Sequence, residues 1–423
     1  MTLEERISLV KDWLIMNSGA TPYIIGFGLR QWTEGTYRRY PKTPLISLNG
    51  MRVIKDGSEA QFVADRNEYH NSFKNIFDNV KVLDSIYADF IVDEKNFLDF
   101  VHTIEQKGEG YLHQHFDEFV KYYDAEYISA VVIDGALVYG ENFFNEMIKK
   151  YPESENDIRI LTAPYGRTFI ERYKIALLDL AIRYVGMFKT VEEILNNKGI
   201  KEGLEKIKNQ FHWIKNNYKN VEPLSIEFFT EQLLEFVGRD IKQNEDELNE
   251  LIKKEKYHQE QCLDIRSKNK IEADDYDRIL WIGKIAWWVD RRKEYNLIAN
   301  HYLGRHLKYL CQKYNWDYND ALFLAPWEVE IIESGKKEIK DFPLKERRNE
   351  NIIFFDKDGN WNSLIGKEAS ILWDKISPIL DTTKILEIKG TVARMGKVIG
   401  KARVVMDAHN PENLMRAIFW LQV

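Results

Sequence analysis

The sequence predicts a mainly α-helical protein. Its expected parts are a multi-helical body, a small β-meander near the N-terminus and an incomplete β-rich fragment at the C-terminus. Apolar side chains recur at three- and four-residue steps through most of the 423 residues, as they do on one face of a helix. Turn-forming pairs cluster between residues 45 and 64, and small residues recur regularly between residues 390 and 404. These three observations set the fold class.

The N-terminal segment MTLEERISLVKDWLIM predicts an amphipathic, charged helix. A small meander is expected after it, from about residue 45 to residue 64. Asn49-Gly50 and Asp56-Gly57 lie in this stretch, and each pair tolerates the positive φ that a hairpin turn needs. We therefore expect two turns between short strands here.

Helical periodicity then continues along the chain. Helices are expected at residues 69–80, 83–105, 112–127, 167–188, 192–215 and 225–237, with a turn at 133–136. The most strongly helical region, 244–313, predicts a long helical hairpin whose second arm begins after Asp274-Asp275. Pro326 fits the first turn of a short helix that ends near Gly335. A further helix is expected at 342–349, and a β-hairpin around the sequence DKDGN at 351–362.

Composition narrows the class of protein. Apolar residues make up 44% of the chain and charged residues 30%, which is typical of a globular protein. The net charge is −7 and there is no block of lysine and arginine, which disfavours a nucleic-acid or anionic-membrane partner. The chain has two cysteines, which indicates a reducing compartment. We therefore predict a cytoplasmic protein with neither kind of partner.

Small residues follow a regular pattern near the C-terminus. Gly390, Ala393, Gly396 and Gly400 belong to the pattern G-x-x-A-x-x-G-x-x-x-G-x-A-x-V. This pattern predicts two short strands joined through turns that glycine permits. It resembles the opening of the swivelling phosphohistidine (mobile) domain of phosphoenolpyruvate-utilising enzymes. That family includes phosphoenolpyruvate synthase, pyruvate phosphate dikinase and rifampicin phosphotransferase.

Four other sequence runs resemble, in their order, the helical domain that precedes the swivelling domain in rifampicin-phosphotransferase-like proteins. They are W-I-x-N-N-Y at 213–218, D-R-R-K at 290–293, F-L-A-P-W-E-V-E at 323–330 and K-E-R-R at 345–348. The resemblance covers roughly Trp213 to the end of the sequence. It implies an N-terminal helical region with the meander at 1–200, the helical domain at 201–383 and a truncated phosphohistidine domain at 384–423.

In that family a histidine in a T-S-H loop carries the phosphoryl group, and a G-D-I-L-V segment precedes it. Neither occurs in this sequence. The resemblance therefore implies an incomplete phosphotransferase subunit that has no catalytic residue and binds no cofactor itself. A separate ATP-grasp chain would use ATP and magnesium, and the phosphate acceptor would be a small molecule of unknown identity. The alternative is a non-catalytic helical module for binding or docking.

The last residues are compatible with a trace of the missing segment. Codons for residues 417–423 can be chosen so that, with one G placed before them, a shifted reading frame encodes G-D-I-L-V-A-G. Codon degeneracy leaves freedom in this back-translation. Our hypothesis is a frameshift near Arg416 rather than a natural terminus.

The D-R-R-K run supplies the candidate substrate-binding residues. Arg291, Arg292 and Lys293 suit a phosphate or carboxylate, because arginine forks bind such oxygens with two hydrogen bonds. The alternative is a solvated helix face beside Glu294. Trp287 is the aromatic candidate for the same site, since aromatic residues at this spacing line a pocket or fill a core. The other aromatic residues of this stretch are Trp281, Trp288, Tyr295 and Tyr302.

The remaining candidates receive simpler interpretations. His409 lies in the polar sequence DAHNPEN and is expected to be a solvated loop residue. His113 and His115 are two positions apart, so on a helix they point about 200° apart, whereas a helical metal pair is spaced by three or four residues. We predict no metal site. Arg347 and Arg348 are expected to reach a helix end or a carboxylate, or else a ligand.

Overall fold

The computed structural model of the chain describes residues 2–219, 221–268 and 270–377, except for the side chains of residues 137 and 138. One compact unit extends to Trp373, and the rest of the chain is a second unit. The predicted strands around Gly390, Ala393, Gly396 and Gly400, the segment 384–423 as a whole and His409 lie outside the described residues.

The described chain is mainly α-helical, as the sequence predicts. Its α-helices are α1 (Leu3–Leu9), α2 (Pro22–Arg30), α3 (Thr36–Arg39), α4 (Arg66–Phe77), α5 (Val80–Lys107), α6 (Glu109–Gln114), α7 (Phe116–Val131), α8 (Ala136–Lys150), α9 (Glu155–Leu161), α10 (Phe169–Ile182), α11 (Val191–Asn196), α12 (Lys198–Phe211), α13 (Ile226–Val237), α14 (Ile241–Ser267), α15 (Ala273–Tyr314), α16 (Tyr318–Ala321), α17 (Pro326–Glu333), α18 (Leu344–Asn349) and α19 (Gly366–Ile376). Its strands are β1 (Trp13–Ser18), β2 (Leu48–Ile54), β3 (Glu59–Asp65), β4 (Glu350–Asp356) and β5 (Trp361–Ile365).

Two of the expected helices are each divided in two. The helix expected at 112–127 is interrupted at His115, between α6 and α7. The helix expected at 192–215 is interrupted at Asn197, whose side chain accepts hydrogen bonds from the first amides of α12. Asparagine is a strong N-cap, and it therefore starts a new helix here instead of continuing the old one. The predicted boundary between residues 200 and 201 falls inside α12.

One antiparallel sheet joins distant parts of the sequence, in the strand order β1-β3-β2-β4-β5. The predicted hairpin around DKDGN is present as β4 and β5, and β4 pairs with β2 of the N-terminal meander. The turn predicted at Asp56-Gly57 is present, between β2 and β3. The turn predicted at Asn49-Gly50 is wrong, since both residues lie inside β2. A side chain at Gly50 would meet Phe354 of β4, with an added Cβ only 2.5 Å from that ring.

The N-terminal helix is also shorter than predicted. It ends at Leu9, and Trp13 to Ser18 form β1, which pairs with β3 along its whole length. Trp13 also places its ring 5.9 Å from the ring of Phe354. Strand pairing of this kind outweighs local helical periodicity, because the β-propensity of a segment depends on the neighbours it packs against.

Helix α15 runs through the body and carries the D-R-R-K run together with its aromatic neighbours. It has 42 residues and is therefore about 63 Å long. Buried side chains occur along most of it, and they include polar residues as well as apolar ones. Helices α6, α7, α8, α9, α10 and α16 pack against it. Among the described residues, no helix combines the length and the apolarity needed to cross a membrane.

The F-L-A-P-W-E-V-E and K-E-R-R runs meet in a buried ion pair. The Arg347 guanidinium donates to both carboxylate oxygens of Glu328, at 2.5 and 2.7 Å, and to the carbonyl oxygen of Phe323 at 3.1 Å. Glu328 also accepts from the backbone amide of Ala325 and so caps α17. Arg347 thus reaches a helix end, which is one of the expected roles. The pair fixes α18 against the start of α17.

We predict that Arg347→Met lowers the free energy of unfolding by about 3–5 kcal/mol, because Glu328 would keep a buried charge without its partner. The neighbouring substitution Arg348→Met is the control. Arg348 binds Asp56 and Asp320 at the surface, and its loss should cost about 1 kcal/mol or less. Urea unfolding of both variants measures the difference. An equal loss of unfolding free energy in the two variants would contradict a special role for the buried Arg347–Glu328 pair.

Candidate functional site

The four candidate substrate-binding residues do not converge on one point. Arg291, Arg292 and Lys293 are consecutive on α15, so their side chains leave the helix about 100° apart. Arg291 lines a cleft, Arg292 is buried, and Lys293 is exposed. Trp287 lies one turn earlier, with the Arg291 guanidinium 5.8 Å from its ring. At most one of the three charged side chains can therefore line this cleft.

The cleft that Arg291 lines is formed by α5, α10, α12 and α15 and has a volume of about 510 Å³. We call it the Arg291 cleft. Its apolar lining consists of Leu98, Val101, Phe211, Trp213 and Ile298. Its polar lining consists of His102, Glu105, Arg172, Lys206, Asn209, Gln210, Arg291, Glu294 and Tyr302. It combines an apolar wall with charged and hydrogen-bonding groups, as small-molecule sites commonly do.

Helix α12 shows how the sequence builds one wall. Asn197 caps its start, and its apolar residues at three- and four-residue steps face the interior. These buried residues are Ile200, Leu204, Ile207 and Phe211. The intervening polar residues Lys206, Asn209 and Gln210 remain on the outer face, and this face borders the cleft. Lys206 has no ion-pair partner among the described residues, so its charge is available to a ligand.

Two arginines share one carboxylate at the base of the cleft. Arg291 donates from Nη1 to Glu294 at 2.5 Å and also binds Glu94 and Tyr295, while Arg172 binds Glu294 as well. Burial raises the pKa of Glu294, although the two arginines oppose this shift. Burial also opposes the charge of Arg291, but the surrounding acidic groups hold its pKa above the usual range. Arg291 is therefore a charged donor that its neighbours hold in place.

A polar cluster occupies another part of the cleft. Tyr302 donates its hydroxyl hydrogen to Glu105 Oε1 at 3.2 Å, and His102 Nδ1 lies 3.8 Å from Glu105 Oε2. His102 Nε2 lies 2.7 Å from the side-chain amide of Gln106. Imidazole and carboxylate side chains are the usual proton acceptors in general base catalysis. The Gln106 NH2 group can only donate, so Nε2 of His102 accepts and Nδ1 carries the hydrogen on the side of Glu105. The Glu105 carboxylate is therefore the group of this cluster that can accept a proton from a molecule in the cleft.

Arg292 belongs to the interior and not to the cleft. Its Nε lies 3.0 Å from Asp134 Oδ1, and the ring hydroxyls of Tyr69, Tyr127 and Tyr218 are nearby. Burial works against its charge, but Asp134 and the tyrosines keep the pKa of Arg292 above its usual range. Asp134 lies in the predicted turn at 133–136, which is present. Arg292 thus attaches this turn to α15.

The W-I-x-N-N-Y run meets the D-R-R-K region through a set of polar contacts. Asn216 donates to the carbonyl oxygen of Leu297 at 3.2 Å, and Asn300 donates to the carbonyl oxygen of Asn217 at 3.3 Å. The run ends at a tyrosine, residue 218, which accepts a hydrogen bond from the Asn296 amide at 3.0 Å. These contacts hold the 213–218 segment on α15. The two runs therefore have a shared structural role.

Most of the aromatic candidates are core residues. Trp281, Trp288 and Tyr295 are buried, and Trp288 stacks on Phe90 with ring centroids 5.0 Å apart. Trp287 is partly buried, while Tyr302 is also buried but contributes its hydroxyl to the Arg291 cleft. The prediction that these aromatic residues of α15 belong to the core therefore holds for most of them. Sequence reasoning missed Arg172, Lys206, His102 and Glu105, because they lie on three other helices and share no spacing signal with the D-R-R-K run.

His113 and His115 have different neighbours, and they do not share one helix, because His115 lies at the break between α6 and α7. His113 Nδ1 lies 3.3 Å from His306 Nδ1, and its ring stacks on Tyr309. His115 stacks instead on Tyr111. Burial lowers the pKa of His306 to about 3, so this ring is neutral at physiological pH. In the described part of the chain, no group of three or more histidine, cysteine or acidic residues is arranged to hold a metal.

Comparison with protein families gives no match for this sequence, and no curated protein matches it either. The similarity to phosphoenolpyruvate-utilising enzymes therefore remains a prediction from the glycine pattern and the four sequence runs.

Glu126 of α7 is a buried carboxyl group whose two side-chain oxygens have no hydrogen-bond partner within the described residues. Burial raises the pKa of Glu126 well above its usual value, with Arg292 and Arg291 opposing the shift. The pKa of Glu126 is therefore higher in the folded protein than in the unfolded chain, where a glutamate ionises above about pH 4.3, so protonation of Glu126 favours the folded state. Its contribution to stability is fully present below that pH and is lost as pH rises.

We predict that Glu126→Gln removes this pH dependence. Relative to the wild-type protein, the free energy of unfolding of the variant should rise between pH 4 and pH 8, because the wild type alone loses the contribution of a protonated Glu126 over this range. Urea unfolding at several pH values measures this difference. Asp117→Asn on the same helix is the control, because Asp117 is exposed and forms no ion pair among the described residues. The same pH slope in wild type and Glu126→Gln would contradict the prediction.

Proposed function

We propose that this chain is the acceptor-binding part of a histidine phosphotransferase of the phosphoenolpyruvate-utilising type. The observation that supports this most directly is that the D-R-R-K run, one of the four runs similar to that family, places Arg291 in the Arg291 cleft. In this proposal the helical body holds the phosphoryl acceptor. The phosphohistidine belongs to the swivelling domain, and ATP with magnesium belongs to a separate ATP-grasp chain.

The cleft suits an organic acceptor of moderate size. Its volume of about 510 Å³ lies within the range of small-molecule sites. Phe211, Trp213 and Ile298 offer an apolar surface for a ring or hydrocarbon skeleton. Lys206 and Arg291 offer donors for carbonyl, hydroxyl or carboxylate oxygens. We therefore propose a hydroxylated, partly apolar molecule as the acceptor.

In this proposal the polar cluster of Tyr302, Glu105 and His102 takes part in proton transfer. When the phosphohistidine approaches, an acceptor hydroxyl oxygen attacks phosphorus, the N–P bond breaks, and the hydroxyl proton must leave. Glu105 accepts that proton as a general base, and His102 faces the same carboxylate with Nδ1. Moving the phosphohistidine between two sites lets each site exclude water separately.

The alternative is a non-catalytic module that docks onto another protein through its helical surface. The two proposals differ in their need for a phosphohistidine. Sequencing the source DNA for a few hundred bases beyond the codon of Val423 tests for a T-S-H loop in a shifted frame. If such a loop is encoded, the corresponding protein should accept ³²P from ATP and magnesium in the presence of its ATP-grasp partner. A phosphorylated histidine would exclude the docking proposal.

Binding to the Arg291 cleft can be tested on the present chain. We predict that one or more compounds from a panel of hydroxylated aromatic molecules quench its tryptophan fluorescence, because Trp213 lines the cleft. Lys206→Met and Arg291→Met should each raise the Kd of such a compound about tenfold, through the loss of a charged donor. Lys206 is exposed, so its substitution leaves folding intact.

The matched control is Lys293→Met, which removes a positive charge from α15 two residues beyond Arg291 but outside the cleft. It should leave the Kd unchanged. If Lys206→Met and Arg291→Met bind the compound as tightly as the wild-type protein does, the cleft is not the acceptor site.

A further inference from the structure

A second cavity lies between α14 and the 162–168 loop that joins α9 to α10. Its volume is about 290 Å³, and it shares no lining residue with the Arg291 cleft. We call it the His258 cavity. Much of its lining is apolar, from Ile160, Ala163, Pro164, Tyr165 and Tyr257, and His258 adds an imidazole ring to this lining. The other lining residues are polar or charged: Arg159, Gly166 with its backbone, Arg167, Lys254, Glu255 and Gln261. A cavity that combines apolar and polar groups in this way is typical of a binding site for a small molecule.

The wall of the His258 cavity is fixed by close contacts with α15. Gly283 lies so near the loop that an added Cβ would be 2.6 Å from the carbonyl oxygen of Ala163. Tyr165 donates its backbone amide hydrogen to the Gly283 carbonyl at 3.2 Å. Gly166 packs against Trp287, where an added Cβ would lie 2.5 Å from Nε1. The loop is therefore seated directly on the helix, which forms the cavity before any ligand arrives.

The hydrogen bond of His258 determines which ring nitrogen carries the proton. His258 is 8% exposed, and its Nε2 lies 2.8 Å from the carbonyl oxygen of Ile160. A carbonyl oxygen can only accept, so Nε2 carries the hydrogen and Nδ1 presents a lone pair. Cys262 lies near Nε2, at 3.6 Å. Nδ1 is buried and has no donor among the described residues.

The charged groups at the rim already have partners. Arg159 binds Glu155 at 2.7 Å, and Lys254 binds Glu171. Arg167 donates to a backbone carbonyl oxygen of α14 at 2.9 Å. An anionic ligand would have to compete with these contacts, whereas a neutral ligand would not. Two buried atoms of the lining have no hydrogen-bond partner among the described residues: Nε of Arg167, a donor that lies 3.8 Å from Glu255, and Nδ1 of His258. Nδ1 of His258 is the unsatisfied acceptor of the two, and it requires a donor.

We propose that the His258 cavity binds a small, neutral aromatic molecule that donates one N–H or O–H hydrogen to Nδ1 of His258. The aromatic ring fills the apolar part of the cavity, and the donor satisfies a buried acceptor that has no partner within the described residues. This site is separate from the Arg291 cleft and does not depend on the phosphotransferase proposal.

Indole and 1-methylindole test the proposal, because they share a ring system and differ in the N–H donor. Isothermal titration calorimetry should show that the wild-type chain binds indole with a Kd at least about tenfold lower than that for 1-methylindole. His258→Phe should abolish this preference by weakening the binding of indole. His70→Phe is the control, since His70 borders neither cavity, and it should retain the preference.

Two further variants show whether indole binds in the His258 cavity and not in the Arg291 cleft. Ala163→Phe fills the His258 cavity without altering His258 and should abolish the binding of both compounds. Lys206→Met changes only the Arg291 cleft and should leave indole binding unchanged. Equal affinity of the wild-type chain for indole and 1-methylindole would overturn the proposal. Weakened indole binding in Lys206→Met, or no binding at millimolar indole, would overturn it too.

Discussion

The structure depends on the burial of one long helix, α15. A helix of 42 residues that is enclosed by its neighbours must place polar as well as apolar side chains in the interior. A buried polar or charged group without a partner costs free energy, so each one requires a matching group from another segment. Arg292 therefore contacts Asp134, Glu294 contacts Arg172, and Asn296 contacts Tyr218. These requirements bring segments that are distant in sequence onto the same helix.

The same helix lies beside both cavities. Arg291 lines the Arg291 cleft, while Gly283 and Trp287, up to two turns earlier, support the loop that closes the His258 cavity. The two cavities differ in chemistry. The cleft offers charged donors and a histidine–carboxylate pair, whereas the His258 cavity offers an apolar space with one unsatisfied acceptor. We therefore assign a polar, hydroxylated acceptor to the first cavity and a neutral aromatic ligand to the second.

The four sequence runs that resemble a family make structural contacts in this chain. The W-I-x-N-N-Y run hydrogen-bonds to the part of α15 that follows D-R-R-K, and K-E-R-R contacts F-L-A-P-W-E-V-E through Arg347 and Glu328. The first run is thus held on the helix that carries D-R-R-K, and the other two runs are joined by a buried ion pair. Only Arg291 and Trp213 of these runs line the Arg291 cleft. The sequence predicted Arg291, but it contained no signal that would group it with His102 and Lys206 on other helices.

The sequence by itself determined the mainly helical class, the long helices α14 and α15, and the β-hairpin around DKDGN. Each depends on a local pattern of apolar residues or turn formers, which can be read within a short window. Tertiary structure decided that Trp13–Ser18 form a strand, that Gly50 lies inside β2, and which of three consecutive charged residues faces the cleft. The reason is that strand pairing and the direction of a side chain on a buried helix depend on partners far away in the sequence, and local periodicity carries no information about them.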